Sequence, residues 1–336
     1  MKSTRNNTPN ILLVEGLWGA GKSTLISKIR EKYPVLFVPE PNYQVSGIKT
    51  SITEWYKKQH ETRLKTALEY ASHGEHVVME RSILSNAAFH YAKHAKMPDW
   101  FDSSKFSLFS VANLRIFFLY TDKQTFMHNA KYIKDPSVRN AIKNNKLFYK
   151  NYVNFFRHIG FDVQFVNSTN QLASPTVNKH LHKIFGKKVK SDFKEVTHPC
   201  SSAVVTYGDK LLILYSKKHK QYTLPQGHIK PGESAKKTIY REITEETGYT
   251  DMKVLRRIRS YSFRFLNDNS VIKKDIDCFF VTLKNLNRVH KRLEKHESYK
   301  NFIVHQDKGL RMLNWPEDRE NVTRAYEFIS TKKPAS

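Results

Sequence analysis

The chain has 336 residues, 39% of them hydrophobic, and its formal net charge is +26. This length fits two average domains, each able to bury a core, and the sequence offers no run of about 18 apolar residues for a membrane span. The polar N-terminus lacks the apolar segment of a signal peptide, and two cysteines form neither a disulfide framework nor a four-cysteine zinc site. We therefore expect a cytoplasmic protein without membrane contacts.

The positive charge is spread over both halves of the sequence. A field of this sign attracts polyanions, so it is typical of proteins that act on nucleotides or bind nucleic acid. The charge count by itself does not distinguish these two classes of partner, and it predicts nothing about oligomeric state.

The first half alternates short apolar runs with amphipathic helical stretches. Candidate strands are residues 11–15, 35–38, 76–79, 114–120 and 162–166. Strands that alternate with helices favour a parallel sheet covered on both faces. Residues 1–186 are therefore predicted to form one α/β domain.

A polar, lysine-rich segment follows, and the pattern then changes. Residues 187–198 are interpreted as a linker, and residues 199–336 as a second domain. Residues 203–207 and 210–215 flank Gly208–Asp209, which is typical of a hairpin. One strong helix, two strands at 260–265 and 276–283, and a last helix over 319–330 complete the prediction.

The segment after the first strand matches a phosphate-binding loop. Residues 16–23 (GLWGAGKS) fit the pattern G-x-x-x-x-G-K-[ST] between a predicted strand and a predicted helix. In such a loop backbone N–H groups surround a polyphosphate, the lysine reaches the terminal phosphates, and the serine hydroxyl binds Mg²⁺. The predicted ATP-binding residues are Gly16, Gly19, Gly21, Lys22, Ser23 and Thr24.

Charged residues follow the next two predicted strands. Glu40 comes after the second strand, and Glu80 and Arg81 come after the third. The carboxyl ends of strands in such a sheet face the ligand, where a glutamate can accept a proton and an arginine can neutralise phosphoryl charge. Alternatively, Glu40 and Glu80 are ordinary surface carboxylates at strand ends, with no role in catalysis.

With these motifs the first half resembles the deoxynucleoside kinases and thymidylate kinases, which carry the same loop followed by E-P and E-R-S or D-R elements. The resemblance implies a P-loop kinase fold that uses ATP and Mg²⁺. Lys22 and Arg81 would contact phosphate, Glu40 would be the base on the acceptor hydroxyl, and Glu80 would assist metal or sugar binding.

Two features of this half are weaker matches. The expected arginine-rich lid falls on residues 131–139 (KYIKDPSVR), which hold two lysines and one arginine. A lysine cannot form the bidentate hydrogen bonds that an arginine forms with phosphate. The sequence therefore leaves the identity of the phosphoryl acceptor unassigned. Trp55, Tyr56 and Phe89 are candidates for stacking on a base, although such aromatics more often belong to a core.

The strong helix of the second half concentrates acidic residues. Glu242, Glu245 and Glu246 fall within roughly a 100° arc of one helix. Like charges at this spacing repel one another, and clustered carboxylates are suited to Mg²⁺ or Mn²⁺. The spacing therefore predicts a metal-binding helix that ends at Gly248.

Residues 227–249 match every specified position of the Nudix box, G-x5-E-x7-R-E-U-x-E-E-x-G-U. The second half thus resembles the Nudix hydrolases, which have an α/β/α-sandwich fold. By that resemblance Glu242, Glu245 and Glu246 bind the metals, while Arg241 and Glu233 brace the helix and its loop. Glu294 and Glu297 are candidates for an assisting carboxylate. Residues 224–233 (LPQGHIKPGE) are similar to the corresponding segment of Nudix hydrolases that act on dinucleoside polyphosphates and related compounds.

Three functions are compatible with these motifs. The first is a bifunctional nucleotide enzyme with a kinase domain and a Nudix domain that hydrolyses a nucleoside diphosphate-linked compound. The second is an RNA 5′-end-processing protein whose basic surface holds the strand, although no RNA-binding motif with paired aromatics occurs. In the third, ATP binding regulates the hydrolase. A binding-only, degenerate Nudix domain is a further alternative for the second half.

Overall fold

The structure is a computed structural model that describes residues 9–40, 52–101, 113–133, 135–171, 174–187, 190–267, 270–289 and 299–332. The chain divides into two compact units, Met1–Lys194 and Glu195–Ser336. This boundary falls inside the segment that the sequence assigns to a linker. Across the described residues, none of the helices is both long enough and apolar enough for a bilayer crossing.

The N-terminal unit alternates strands and helices. Its elements are β1 (Asn10–Gly16), α1 (Lys22–Lys32), β2 (Val35–Val38), α2 (Ile52–Ser72), β3 (His76–Glu80), α3 (Ile83–His94), β4 (Asn113–Tyr120), α4 (Lys123–Ala130), α5 (Pro136–Asn144), α6 (Phe148–His158), β5 (Val163–Asn167), α7 (Ser168–Gln171) and α8 (Pro175–Phe185). All five predicted strands are confirmed to within one residue at each end.

These strands form a parallel sheet in the order β2-β3-β1-β4-β5. The central strand β1 is buried along almost its whole length, because helices cover both faces of the sheet. β1, β2 and β3 run in the same direction, so Gly16, Val38 and Glu80 end at the same edge. The sheet thereby brings the phosphate loop, Glu40 and Arg81 together.

The C-terminal unit is built differently. Its elements are β6 (Lys194–Tyr207), β7 (Lys210–Ser216), β8 (Gln221–Thr223), β9 (Gln226–His228), α9 (Ala235–Thr247), β10 (Met252–Asn267), β11 (Ser270–Leu283), β12 (Tyr299–His305), α10 (Gln306–Met312) and α11 (Pro316–Lys332). The main strands follow the order β12-β7-β6-β11-β10, and β8 and β9 pair with β7 and β6.

This sheet lies between two helices. Ala203 and Val205 pack with Ile239 and Ile243 of α9. Val204, which points to the other face, belongs to the core that includes α11. Because side chains of a strand alternate between its faces, this division shows an α/β/α arrangement.

Several elements differ from the sequence prediction. β10 begins eight residues before the predicted strand 260–265, β11 begins six residues before 276–283, and the two strands pair as an antiparallel hairpin. Residues 194–198, assigned to the linker, lie in β6. β12 and α10 were not predicted. Charged residues at irregular positions in the added segments 252–259 and 270–275 interrupt the apolar alternation that predicts a strand.

Candidate active sites

The loop after β1 has a backbone that only glycine permits at its start. Gly16 has φ +134°, and a Cβ there would lie well inside 3.0 Å of the Leu119 carbonyl oxygen. Gly21 adopts a left-handed conformation at the N-cap of α1. The loop therefore turns closely against β4 and leads directly into the helix N-terminus, which is the geometry that favours anion binding.

Lys22 and Ser23 occupy the first turn of α1. The Lys22 ammonium donates hydrogen bonds to the carbonyl oxygen of Leu17 at 2.8 Å and to that of Gly16 at 3.4 Å. Burial, together with the nearby Arg81 charge, lowers the pKa of Lys22 to about 7. The Ser23 hydroxyl donates to Glu80 at 3.2 Å, so these two predicted metal ligands are in contact. Thr24 is exposed.

Arg81 and Glu40 form an ion pair at the same edge of the sheet. The Arg81 Nε atom lies 3.2 Å from a Glu40 carboxylate oxygen, and the guanidinium lies 4.6 Å from the centre of the Trp18 ring. Burial disfavours the charge of Arg81, but several nearby anionic groups, of which Glu40 contributes most, together outweigh burial and raise the pKa of Arg81. Arg81 has φ +55°, an uncommon conformation for a residue with a side chain.

Two buried residues at this edge were missed by sequence reasoning. The Glu15 carboxylate accepts hydrogen bonds from the Ser82 backbone N–H at 2.7 Å, from the Ser82 hydroxyl at 2.6 Å and from Ser85. Burial raises the pKa of Glu15. An acidic residue inside an apolar strand was the available signal. Arg63, on α2, had no such signal because arginine is ordinary on an amphipathic helix.

The predicted lid, residues 131–139, spans the turn after α4 and the first turn of α5. Lys131 and Tyr132 are exposed, Lys134 lies outside the described residues, and Arg139 donates to the backbone carbonyl oxygen of Ile133. Its arginine is thus held within the segment itself. The neighbouring Asn129, not predicted, donates to the Gly19 carbonyl oxygen at 3.2 Å.

The candidate stacking aromatics are partly buried. Phe89 packs edge-on against Trp18 with ring centres 6.1 Å apart. Trp55 contacts Tyr56, which stacks on His60 at 6.0 Å. Phe89 therefore belongs to the core beside the phosphate loop, in agreement with the alternative stated for it.

In the C-terminal unit, Arg241 connects the loop before α9 to the acidic helix face. Its Nη1 atom donates to Glu242 at 2.6 Å and to Glu245 at 3.0 Å, and its Nε and Nη2 atoms donate to both oxygens of Glu233. A further bond reaches the His228 carbonyl oxygen at 3.0 Å. The hydrogen bonds from Arg241 lower the pKa of Glu233 to about 2.

Glu242 and Glu246 are almost fully buried against the strand that precedes the loop. A Glu246 oxygen accepts from the backbone N–H of Gln226 at 3.3 Å. A Cβ at Gly227 would overlap the Glu242 carboxylate, so the glycine leaves the space that this carboxylate fills. Glu245 is 28% exposed. The helix ends at Gly248, with φ +82°, as predicted.

The donor set of this site fits a divalent cation. Among the described residues, no three His, Cys, Asp or Glu side chains are already grouped as a ready metal site. Arg241 carries one positive charge against the carboxylates of Glu233, Glu242 and Glu245, with Glu246 buried on the same helix. Oxygen donors in excess over cationic partners are the chemistry that Mg²⁺ and Mn²⁺ select. Glu294 and Glu297 lie outside the described residues.

Comparison with known families gives the same assignment for this unit. The family model described as NUDIX domain matches residues 196–322. These residues form a NUDIX domain. The match supports a NUDIX hydrolase acting on nucleotide-linked substrates, and it does not extend to the N-terminal unit.

Solved structures similar to the chain align with about two fifths of it. They include a Caenorhabditis elegans Ap4A hydrolase binary complex (17% identity, 40% of this chain and 98% of that chain, TM-score 0.34). A NUDIX hydrolase from Nitrosomonas europaea is a further example (17% identity, 42% of this chain and 98% of that chain, TM-score 0.32). Another is the MutT protein from Methanosarcina mazei (19% identity, 42% of this chain and 100% of that chain, TM-score 0.32). A search of curated proteins found no match.

Proposed function

We propose that this chain is a bifunctional nucleotide enzyme. The C-terminal NUDIX domain hydrolyses a nucleoside diphosphate-linked compound, either a nucleoside triphosphate or a dinucleoside polyphosphate. The N-terminal unit transfers the terminal phosphoryl group of ATP to a nucleoside or nucleoside monophosphate.

The hydrolase proposal is carried by the Arg241 hydrogen bonds, which join Glu233 to the acidic face of α9. Glu242, Glu245 and Glu246 would hold Mg²⁺ or Mn²⁺, which supplies hydroxide near neutral pH and stabilises charge on the departing phosphate. Glu233 and Arg241 orient the helix and the loop. Gly227 admits the Glu242 carboxylate against the backbone.

The kinase proposal is carried by the Glu40–Arg81 ion pair beside the phosphate loop. Lys22 and the N-terminus of α1 would bind the phosphates of ATP, and Ser23 with Glu80 would hold Mg²⁺. Glu40, 39% exposed, would accept the proton of the acceptor hydroxyl while Arg81 stabilises charge on the phosphoryl group in transfer.

The test is a product analysis on the intact chain and two variants. Wild type, Lys22→Ala and Glu246→Gln are incubated with Mg²⁺ and ATP plus a panel of nucleosides and monophosphates, and separately with dinucleoside polyphosphates and nucleoside triphosphates. We expect Lys22→Ala to lose only acceptor phosphorylation and Glu246→Gln to lose only hydrolysis. A wild-type chain that phosphorylates no acceptor contradicts the kinase proposal. A wild-type chain that hydrolyses none of these compounds contradicts the hydrolase proposal.

A second candidate is favoured by the basic residues near the NUDIX loop and helix. Lys230, Lys236 and Lys237 are exposed around the start of α9, and Lys217, Lys218 and Lys220 are exposed in the turn before β8. Such a surface suits RNA whose 5′ end enters the hydrolase site. This candidate predicts binding to single-stranded RNA that weakens steeply with salt, and removal of a 5′-terminal group that Glu246→Gln abolishes.

ATP binding as a regulatory signal is distinguished by the same variants. In that case Lys22→Ala would change the rate of hydrolysis in the presence of ATP, and no acceptor would gain phosphate. Under the bifunctional proposal Lys22→Ala leaves hydrolysis within about twofold of wild type.

A further inference from the structure

Arg63 lies buried at the edge of the sheet where Glu40 and Arg81 meet. It projects from α2, is 8% exposed, and donates from Nη1 to the Arg81 carbonyl oxygen at 3.1 Å. Its Nη2 atom donates to the carbonyl oxygens of Val38, at 3.3 Å, and of Glu80. One guanidinium thus joins the ends of two neighbouring strands.

These strand ends carry the two residues of the ion pair. Val38 is the last residue of β2, two positions before Glu40, and Glu80 is the last residue of β3, one position before Arg81. β2 ends before Glu40, and beyond Glu80 the hydrogen bond from the Arg81 N–H to the Val14 carbonyl oxygen ties β3 to β1 and not to β2. The Arg63 bonds therefore fix the spacing of the two loops on which Glu40 and Arg81 stand.

The same contacts hold Arg81 in its unusual conformation. The Arg81 backbone N–H donates to the Val14 carbonyl oxygen at 3.1 Å, and the Arg81 carbonyl oxygen accepts from Arg63. The N–H of the following residue, Ser82, donates to the Glu15 carboxylate. A positive φ at a residue with a side chain costs of order 1–3 kcal/mol and persists only where neighbours over-determine it. Arg63 supplies the constraint from the α2 side.

The protonation states suit this role. Burial lowers the pKa of Arg63 to about 10, which still leaves the guanidinium charged at neutral pH. Burial and the adjacent Arg63 charge lower the pKa of His60 to about 3, so His60 is neutral. The His60 Nδ1 atom lies 2.8 Å from Arg63 Nη1 and accepts its hydrogen bond in the corresponding tautomer. Arg63 is thereby held on both sides.

We propose that Arg63 is a positioning residue that sets the distance between Glu40 and Arg81 by bridging the carboxyl ends of β2 and β3. This inference rests on the proposed kinase function for its consequence in catalysis, but its structural part is independent of any activity. Lysine cannot replace it, because a single ammonium group lacks the planar fork that reaches several carbonyl oxygens at once.

The experiment uses the full-length chain with Arg63→Lys and Arg63→Gln. The matched control is Arg30→Lys, which changes another buried arginine of the same unit, one that lies over the Phe37 ring. Amide hydrogen exchange is measured for residues 79–85 and 16–24, and kcat and KM are measured with the acceptor that the wild type accepts. NUDIX hydrolysis of the same samples verifies that each preparation is folded in the other unit.

We expect Arg63→Lys to speed exchange at Arg81 and Ser82 at least tenfold while residues 16–24 keep wild-type exchange. We also expect kcat to fall about 10- to 100-fold with KM for ATP changed less than threefold, since a small misplacement of reacting groups has effects of that size. Arg30→Lys should show neither change.

Unchanged exchange at residues 79–85 in Arg63→Lys overturns the proposal, as does equal acceleration in both segments. If the wild type phosphorylates no acceptor, the kinase function fails and the exchange result alone decides the positioning role. If exchange changes but kcat does not, Arg63 holds the backbone without positioning the reactive pair, and the proposal is again overturned.

Discussion

The two candidate sites are assembled in opposite ways. In the N-terminal unit the charged groups come from separate places in the chain: the loop after β1, the end of β2 and the end of β3. In the NUDIX domain one loop and one helix, residues 226–248, supply nearly all of them. A dispersed site depends on the sheet that gathers it, whereas a contiguous site depends on one arginine and one helix.

Their charges are opposite as well. Lys22 and Arg81 present buried cations to the phosphate loop. The NUDIX helix presents Glu242 and Glu245 to a single guanidinium, and Glu246 of the same helix accepts from the Gln226 backbone. Both arrangements suit a phosphorylated substrate, one by direct attraction and the other through a divalent cation. The same class of substrate is therefore compatible with surfaces of either sign.

The largest expected effect tests whether the dispersed site depends on tertiary contact. Gly16→Ala places a Cβ against the Leu119 carbonyl oxygen and forces φ +134° on a residue with a side chain. We expect kcat/KM for ATP in the kinase reaction to fall about 100-fold or more, because the phosphate loop is displaced from β4. Steady-state kinetics with the accepted nucleoside measure this.

The control for this change is Gly160→Ala, which also has a left-handed backbone, φ +82°, but no atom within 4 Å of the added Cβ. It should lower stability by about 1 kcal/mol and leave kcat/KM unchanged. Equal losses in the two variants would mean that a general loss of stability, and not the contact of Gly16 with β4, lowers the activity.

The second prediction tests whether the NUDIX site depends only on contacts within its own loop and helix. Arg241→Gln removes the hydrogen bonds to Glu233, Glu242 and Glu245 together. We expect hydrolysis to fall about 10- to 100-fold, the usual cost of losing a residue that orients metal ligands, with kinase activity unchanged. Arg241→Lys should recover only part of the rate because it cannot reach all three carboxylates. Loss of both activities would contradict the independence of the two sites.

The smallest effect concerns a buried carboxyl group away from the Nudix box. Asp318 accepts from Thr223 at 3.3 Å and from the Leu224 backbone at 3.4 Å, and burial together with Glu317 raises its pKa to about 7. The stabilising contribution of a carboxyl group with a raised pKa is complete below about pH 4 and is lost as pH rises through about 7.

Asp318→Asn, which stays neutral, should therefore gain stability relative to wild type between pH 5 and pH 8. The gain should be on the order of 2 kcal/mol, measured as the difference in urea unfolding free energy. Parallel pH profiles for the two proteins would show that Asp318 keeps its charge in the folded state. The urea unfolding free energy of Thr223→Val at pH 5 and pH 8 separates the contribution of the Thr223–Asp318 hydrogen bond from that of the Asp318 charge.

Much of the fold was predictable from local patterns. The five N-terminal strands are short apolar runs between helices, and both their positions and their parallel direction follow from that alternation, whereas their order in the sheet does not. The segments 252–259 of β10 and 270–275 of β11 were not predictable in this way, because charged residues interrupt their apolar alternation, and β12 holds only a three-residue apolar run. β12 pairs with β7, a strand distant in the chain.

By itself the sequence determined the phosphate-loop motif and the NUDIX motif, since each is a short segment whose residue spacing places its groups through local backbone geometry. Tertiary structure alone decided the Glu40–Arg81 pair, the Glu15 contacts with Ser82 and the bridge from Arg63. Those groups are separated by up to 67 residues and meet only when parallel strands end at one edge. Local spacing carries no information about such contacts, because packing of the sheet and helices creates them.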